Sequence, residues 1–287
     1  GEPGSYIDAD GVGIGGNAGS QGFPGFAPSD ATDKSRDSWS LYGDLEVGFN
    51  DRVTGDFAIR YEDYSDFGST ATGKAALLFK ASDTLRFRGS VSTGFRAPSL
   101  QQRYFSSTFT DFISGVPLDV VLAPNGGVIA NAAGIPALKE EKSRNYTLGM
   151  TWSPNDDTSL TIDLYRIDID DRIVLSGRFD TSDPNIGAAL LALGVGQAQF
   201  FVNSVDTSTQ GIDFTFSQMN DFGPGKLNTT IALNINDNEV TAIHAPPSLV
   251  GREDVLLSDR ERLFLEEGAP KQKATVGFDY LQGKWNT

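Results

Sequence analysis

The sequence predicts an all-β, antiparallel fold: about nine long strands forming a fragment of a transmembrane β-barrel, with short turns at one end and long loops at the other. Three observations carry this. Apolar and polar residues alternate with period 2 over stretches longer than the roughly 5–6 residues of an ordinary strand. The links between those stretches alternate between short and long. No run of about 20 apolar residues occurs, so a membrane crossing would have to be made by strands and not by a helix.

The clearest alternation runs from Leu85 to Phe95, with Leu85, Phe87, Val91 and Phe95 on one parity and Arg86, Arg88, Ser90, Ser92 and Arg96 on the other. A membrane-spanning strand needs about 9–11 residues, which this stretch supplies. A half-buried soluble strand shows the same alternation, so its length alone does not choose between them.

Residues 1–38 are rich in Gly, Ser and Asp without periodicity and read as loop. Asp8-Ala9-Asp10-Gly11 resembles the start of a calcium loop but lacks a bidentate Glu at the required spacing. Gly11 to Gly16 satisfies G-x-G-x-x-G, with neither the preceding strand nor the following helix of a dinucleotide site. A plain Gly-rich loop explains both.

The first strand is expected at 39–49, and Asn50-Asp51-Arg52 turns it into a second at 53–61. A longer link, 62–71, leads to a third strand at 72–80, and Ala81 to Thr84 turns into the fourth at 85–95. Residues 97–143 hold scattered Pro and Gly with no sustained period. A loop of that length counts against a compact soluble domain but suits the outer loops of membrane barrels. The fifth strand, 144–152, puts Tyr146, Leu148, Met150 and Trp152 on one face, and Ser153 to Asp157 makes a turn. The sixth begins at Thr158 with Leu160, Ile162 and Leu164 in phase. The apolar parity then passes to Tyr165, Ile167 and Ile169, marking either a bulge or the strand's exit from the apolar band. The link 176–209 carries an expected short helix, opened by Asp183-Pro184 and stopped by Gly194. Strands at 210–218, 227–236 and 273–281 complete the set, with a helical turn expected in the last link from Ser258 and its capping-box partner Glu261. Read this way, the links run short, long, short, long throughout, which gathers the short turns at one end. A soluble sandwich gives no reason for that segregation.

Composition narrows the function. The net charge of −15, from 38 acids against 23 bases, is the wrong sign for a nucleic-acid binder. Cysteine is absent, which removes disulfides, thiolate metal sites and cysteine nucleophiles together. The single histidine, His244, sits beside Ala-Pro-Pro and reads as a surface loop residue. No metal or cofactor site is expected. Asp168 and Asp170 share a strand face as a glycosidase pair would, but nothing sets them at a cleft, so no enzyme is expected. The start, Gly1-Glu2-Pro3-Gly4, has neither part of a signal peptide and reads as an excised piece.

Several segments also resemble a known family. Gly94 to Leu100 reads GFRAPSL, and Arg60 to Gly68 reads RYEDYSDFG one hairpin earlier. Leu138 to Ser143, LKEEKS, is similar to L-x-P-E-x-S with Glu140 in place of Pro. Asn203 to Asp213 and Gly268 to Lys271 resemble later segments in the same order. Together these resemble the TonB-dependent outer-membrane receptors. The resemblance implies a plugged barrel of roughly 22 strands, of which this chain would supply a partial barrel at 39–287, with residues 1–38 as an extracellular-loop remnant. The plug, the TonB-contacting segment, the early strands and the terminal strand would lie elsewhere. It also implies a place in the Gram-negative outer membrane, with partners that include the plug, the remaining strands, the TonB complex, lipid and a ligand.

In such a barrel the apolar parity faces lipid and the polar parity faces the lumen. That puts Leu41, Leu45, Phe57, Ile59, Phe87, Val91, Met150 and Trp152 outward. Asp44, Glu46, Arg60, Arg86 and Arg88 point inward, either holding the plug and lining a substrate path or pairing among themselves. Ligand contacts would fall on the loops, with Tyr64, Phe67, Tyr104, Phe105, Phe109 and Phe112 as candidates that could equally pack the loops together. The function implied is energy-coupled uptake of a scarce nutrient, an iron-siderophore, a cobalamin or an oligosaccharide. The acidic balance disfavours strongly anionic ligands. Alternatives are a soluble β-rich carbohydrate-binding module or a passive porin. A signal peptide, TonB box and plug encoded upstream of Gly1 would decide for the receptor.

Overall fold

Long alternating strands in lipid must satisfy their peptide groups by pairing with neighbouring strands, and this chain builds one long sheet for that purpose, open at both edges. The computed structural model describes residues 5–7, 13–15, 30–113, 116–283 and 285–286. A short antiparallel pair, β1 (Ser5–Ile7) and β2 (Gly13–Gly15), comes first. The wall then builds from β3 (Ser38–Asn50), β4 (Val53–Tyr64), β5 (Gly68–Lys80) and β6 (Leu85–Arg96). The chain leaves the wall through α1 (Leu100–Tyr104), β7 (Ser107–Ile113), β8 (Val116–Ala123) and α2 (Val128–Ala132). It returns with β9 (Glu141–Asn155) and β10 (Thr158–Leu175). Next come β11 (Phe179–Asp180), α3 (Gly187–Ala192), β12 (Gln197–Phe222) and β13 (Gly225–Ile243). A 3-10 turn at Pro247–Leu249, α4 (Glu253–Leu256) and α5 (Asp259–Glu267) precede β14 (Gln272–Gln282) and the short β15 (Trp285–Asn286).

The wall strands pair antiparallel in the order β3-β4-β5-β6-β9-β10-β12-β13-β14-β15, so the nine long strands read from the sequence are all present. Register aligns their apolar parity across the whole sheet. Leu45 faces Phe57, Phe87 lies between Phe79 and Met150, Leu164 between Leu148 and Ile212, and Ile231 between Phe216 and Val276. These side chains are not in a core: Leu41 is 70 % exposed, Ile59 66 % and Phe278 64 %, and Phe87 and Val91 are exposed with them. An exposed apolar band of this extent on a soluble protein would aggregate, whereas lipid covers it. The soluble-module alternative fails on this band. No helix among the described residues is long and apolar enough to cross a membrane.

Short turns close one end. Asn50 Oδ1 accepts from the backbone N–H groups of Arg52 and Val53, Asn155 Oδ1 accepts from Asp157, and Gly223 takes a φ of 58° between β12 and β13. Membrane barrels place such turns on the periplasmic side, so the other connections are extracellular.

Four expectations about those connections need correction. The link 62–71 is mostly strand, because β4 and β5 continue their ladder to Tyr64↔Gly68 and leave only Ser65–Phe67 as a turn. One of the links at the long end is therefore tight. Residues 97–143 are not irregular: β7 and β8 form a hairpin, and β8 runs parallel to the start of β12. β12 begins at Gln197, well before 210, and β10 and β13 also overrun their expected ends. Of the two readings of the parity change after Leu164, the bulge is excluded and the strand's exit from the apolar band stands, since pairing continues unbroken through Leu164↔Leu148 and Tyr165↔Thr147. The bulge lies further on, where Asp171 adopts a φ of 56° between the register shifts at Ile169 and Arg172. Of the Gly-rich patterns near the start, Gly13–Gly15 forms β2, and the rest lies outside the described residues.

These overruns build a cap with its own interior. Pro98 apart, every buried apolar side chain among the described residues falls at 120–138, 173–205 or 240–257. Phe179 and Phe200 stack at 5.1 Å in its centre with Val202, Val205, Leu190 and Leu256 around them. The expected helix after Asp183 is present as α3, although Asp183 caps the turn leading into it, accepting from the N–H groups of Asn185 and Ile186. Ser258 does precede α5, but no capping box forms there, because its hydroxyl donates to the Glu261 carboxylate and makes no bond to the helix backbone.

The two faces of the wall should differ in tolerance. In the full receptor, Leu148→Arg on the apolar band is expected to cost about 2–4 kcal/mol, while Thr215→Arg on the opposite parity costs far less. Urea titration in lipid vesicles measures both, and equal costs would mean that the band does not face lipid.

Candidate functional site: a clamped rim and an arginine-lined cleft

The polar face is organised by the same register. Asp44, Glu46, Arg60, Arg86 and Arg88 all lie on it. Gly149 sits between Arg88 and Asp163 in the ladder, and its missing side chain lets the guanidinium reach across β9 to the carboxylate. Arg88 also donates to the Thr151 hydroxyl at 2.9 Å. Gly211 gives similar room to the Tyr165 ring, whose hydroxyl accepts from Asn234 at 3.3 Å while the same amide donates to Asp213. Arg60 pairs with Glu62. The side chains of Asp44, Glu46 and Arg86 make no hydrogen bond or ion pair among the described residues.

At the extracellular end the two most recognisable segments meet. Asp66, in the β4–β5 turn, receives the Arg36 fork, Nε to Oδ1 at 2.8 Å and Nη2 to Oδ2 at 2.6 Å. Arg36 also donates to the carbonyl of the buried Pro98, and Arg103 reaches Asp66 Oδ2 at 3.1 Å. Tyr64, Phe67 and Phe95 pack as one aromatic group, with Arg36 over two of the rings. Ser99 and Gln102 form a reciprocal capping box on α1. That S-x-x-Q signal is readable in the sequence, where it overlaps the end of GFRAPSL. Arg96 pairs with the buried Glu141, which also accepts the N–H of Ile173 at 2.7 Å. Three strand ends are thus tied through one carboxylate.

The aromatic loop candidates divide. Tyr64 and Phe67 belong to this rim cluster, and Tyr104 lies between Lys34 and Arg103, each 5.5 Å from its ring. Phe109 packs under Arg178, Phe105 is half-buried and Phe112 is half-exposed. His244 hydrogen-bonds Asp206 at 2.7 Å on the outside of the cap. Asp168 and Asp170 are on the outward parity, tied to Arg166 and Arg144, so they form no catalytic pair.

None of the six aromatics lines the cleft at the end of β10. That cleft, of about 990 Å³, opens where β10 leaves the wall at the Asp171 bulge and is closed by α4 and α5. The bulge is held by Asp171 N–H on Asp206 and by Asn203 on the Asp171 carbonyl. Four arginines line the cleft: Arg96 from β6, Arg172 at the bulge, Arg178 after β10 and Arg260 on α5. Phe264 joins them, and Asp254 and Glu261 are its acids. Arg96 and Arg178 are already paired, with Glu141 and Asp111. Arg172 donates only to the Thr207 hydroxyl, and Arg260 lies over the Phe264 ring at 5.8 Å. A second cavity, about 320 Å³, shares Arg96 and Arg172 and continues towards the wall. Only Arg96 stood in a recognisable motif; the others come together because the strands overrun and fold back.

Comparison with known proteins identifies the class. Residues 3–287 match the family described as TonB dependent receptor-like, beta-barrel. The chain belongs to that family, which comprises receptors of the Gram-negative outer membrane and not enzymes. Among solved structures it is similar to a mutant of the ferric enterobactin receptor PfeA from Pseudomonas aeruginosa, at 14 % identity and a TM-score of 0.60 over 91 % of this chain and 33 % of that one. The siderophore receptor PirA from Pseudomonas aeruginosa matches at 14 % identity and a TM-score of 0.53, over 71 % and 37 %. The FrpB iron transporter from Neisseria meningitidis matches at 13 % identity and 0.53, over 88 % and 31 %. This chain thus spans about a third of the length of the receptors it matches. No curated relative matches the sequence.

The rim clamp is pH-sensitive in a definite direction. Burial alone would raise the Asp66 carboxyl, but the Arg36 hydrogen bonds and the Arg36 and Arg103 charges hold it below the ordinary value of 3.8. A depressed carboxyl stabilises the fold above its unfolded pKa and loses that contribution as pH falls through the folded one. Asp66→Asn in the full receptor should speed amide exchange at Asp37 and Ser65, which bond each other across the clamp. That difference from wild type should persist at neutral pH and fade below pH 3.8; a difference that grew with acid would contradict the assignment.

Proposed function

We propose that this chain supplies part of the barrel wall and the ligand vestibule of an energy-coupled outer-membrane receptor for a scarce nutrient of the iron-siderophore, cobalamin or oligosaccharide class. The observation that carries this is the cap. A large cleft stands at the extracellular end, walled by elements with a packed interior of their own and mounted on strands continuous with the barrel. A passive pore has no use for a preformed recognition surface there, whereas specificity is commonly carried by loops on a rigid scaffold. The solved neighbours described as siderophore receptors and an iron transporter favour the iron class among the three.

The unpaired Asp44, Glu46 and Arg86 on the polar face would meet a plug, and the exposed apolar band meets lipid. Coupling to a TonB complex would run through that plug and not through the residues described above.

Uptake by cells expressing the full receptor tests the proposal. Iron supplied as a siderophore, cobalamin and a malto-oligosaccharide would each be followed with and without a functional TonB complex. One of the three should accumulate only when TonB is present. Phe200→Ala, which removes the central stack of the cap at a cost of about 3–5 kcal/mol, should abolish its binding while the barrel remains heat-modifiable in the outer membrane. Uptake that persists unchanged without TonB would overturn the receptor reading.

A further inference from the structure

We propose that the cap turns as a unit against the wall on a crease that crosses β10, β12 and β13, latched by the Asp206 carboxylate. The proposal goes beyond the receptor reading and does not depend on which nutrient is bound.

The crease is a line of irregularities at one height in the sheet. From Ile169↔Thr207 to Arg172↔Val205, β10 carries one residue more than β12. One step further on, Ser204 is the extra residue in β12, between Val205 and Asn203. On the other side Thr241 is extra in β13, between the pairs Thr207↔Val240 and Asp206↔Ala242. The β9–β10 ladder ends at the same level, with Asp170↔Lys142. A single bulge bends one strand, whereas insertions aligned in three adjacent strands interrupt the sheet along a line.

Two features mark that line as strained. Asp171 is the one non-glycine residue with a positive φ among the described residues, at 56°, a conformation that costs energy and persists only where the surroundings impose it. Ser204, the residue inserted in β12, is fully buried, and its hydroxyl has no hydrogen-bond partner among the described residues. A buried polar group left unpaired favours any arrangement that gives it a partner.

Side chains hold the line where backbone bonds are missing. Asp206 Oδ1 accepts the N–H of Asp171 at 2.9 Å, and Oδ2 bonds His244 Nε2 at 2.7 Å, so one carboxylate joins β10, β12 and the end of β13. Asn203 donates to the Asp171 and Lys139 carbonyls, and Glu141 accepts the N–H of Ile173. Such bonds can open a few at a time, while the packed cap and the regular ladder on either side open only cooperatively.

The cleft straddles the crease. Arg96 belongs to the wall, Arg172 and Ile173 to the crease, and Gly177 and Val255 to the cap. Helix α5 is tied to β13 below the Thr241 insertion, by Asn238 on the Leu265 carbonyl and by Glu266 on the Val240 N–H. Helix α4 is tied to the cap instead, through the Gly177 N–H on the Val255 carbonyl and the buried Leu256. Turning on the crease therefore changes the width of the cleft.

Spin-label distances on the purified full-length receptor in lipid vesicles test this. Labels at Leu191→Cys in the cap and Ser69→Cys at the rim of the wall, both exposed positions, should give one main distance. Asp206→Ala should raise the population of a second, separate distance about tenfold, because a hydrogen bond to a charged group is lost. A pair within the cap, Leu191→Cys with Val250→Cys, should keep its distance in the same variant. Asn203→Ala frees the Asp171 carbonyl without touching Asp206 and should act in the same direction. It carries the test if Asp206→Ala does not fold, with heat-modifiable mobility as the check on folding. A cap-to-wall distance unchanged in the folded variants, or a within-cap distance that broadens along with it, overturns the proposal. Both distances are read without ligand or TonB, so the receptor reading stands or falls separately.

Discussion

A peptide group left without a hydrogen bond in lipid costs several kcal/mol, and that penalty organises this chain. It forces the membrane-level backbone into one unbroken ladder, with β12 bonded to β10 on one side and β13 on the other over most of its length. Once the ladder is fixed, side chains have only two directions to take. The apolar band and the polar face follow directly, and so does the cross-strand alignment that lets Arg88 reach Asp163 over Gly149 and lets Tyr165 lie over Gly211. The glycines in these rows serve the ladder's spacing: a Cβ at either position would meet the side chain that crosses it.

The wall therefore has no hydrophobic core of its own. Its apolar side chains stay exposed because lipid is their solvent, and the buried apolar set lies in the cap. The cap exists because β10, β12 and β13 run to 18, 26 and 19 residues, well past the 9–11 or so that a crossing needs. Beyond the membrane, both faces of these strands become covered, against α3, α4 and the β7–β8 hairpin. Val174, Phe200, Val202, Val205 and Val240 are wall strands turned into core by length alone.

The segments most recognisable in the sequence turn out to be clamps. Arg60, Glu62 and Tyr64 bond one another, Asp66 holds Arg36 and Arg103, and Arg96 holds Glu141, which in turn holds the backbone of β10. The Arg60–Glu62–Tyr64 group runs along β4, whereas the Asp66 and Arg96–Glu141 contacts join separate segments at the extracellular end, and each is partly shielded from water. Pairing there resists fraying at the point where the cap begins. The cleft sits immediately above, sharing Arg96 with the clamp.

The sequence by itself determined the wall. Period-2 alternation located nine strands, their facing and their pairing order, because lipid on one side and polar surroundings on the other leave one workable parity for each residue. It also marked Arg60 to Gly68 and Gly94 to Leu100 as recognisable runs, but not that Asp66 would hold Arg36 and Arg103, which lie outside them. It did not determine the cap. Beyond the membrane both faces of β12 become half-buried or buried, alternation fades, and residues 197–209 read as a link although they are strand. Nor did it determine the cleft. Arg172 and Arg178 come from the end of β10 and the link after it, Arg260 and Phe264 from α5, and only a bulge at Asp171 and the return of α5 bring them together. A ladder can be read along the chain because its partners repeat at fixed spacing; a site assembled across loops depends on where the strands end, which only the folded chain decides.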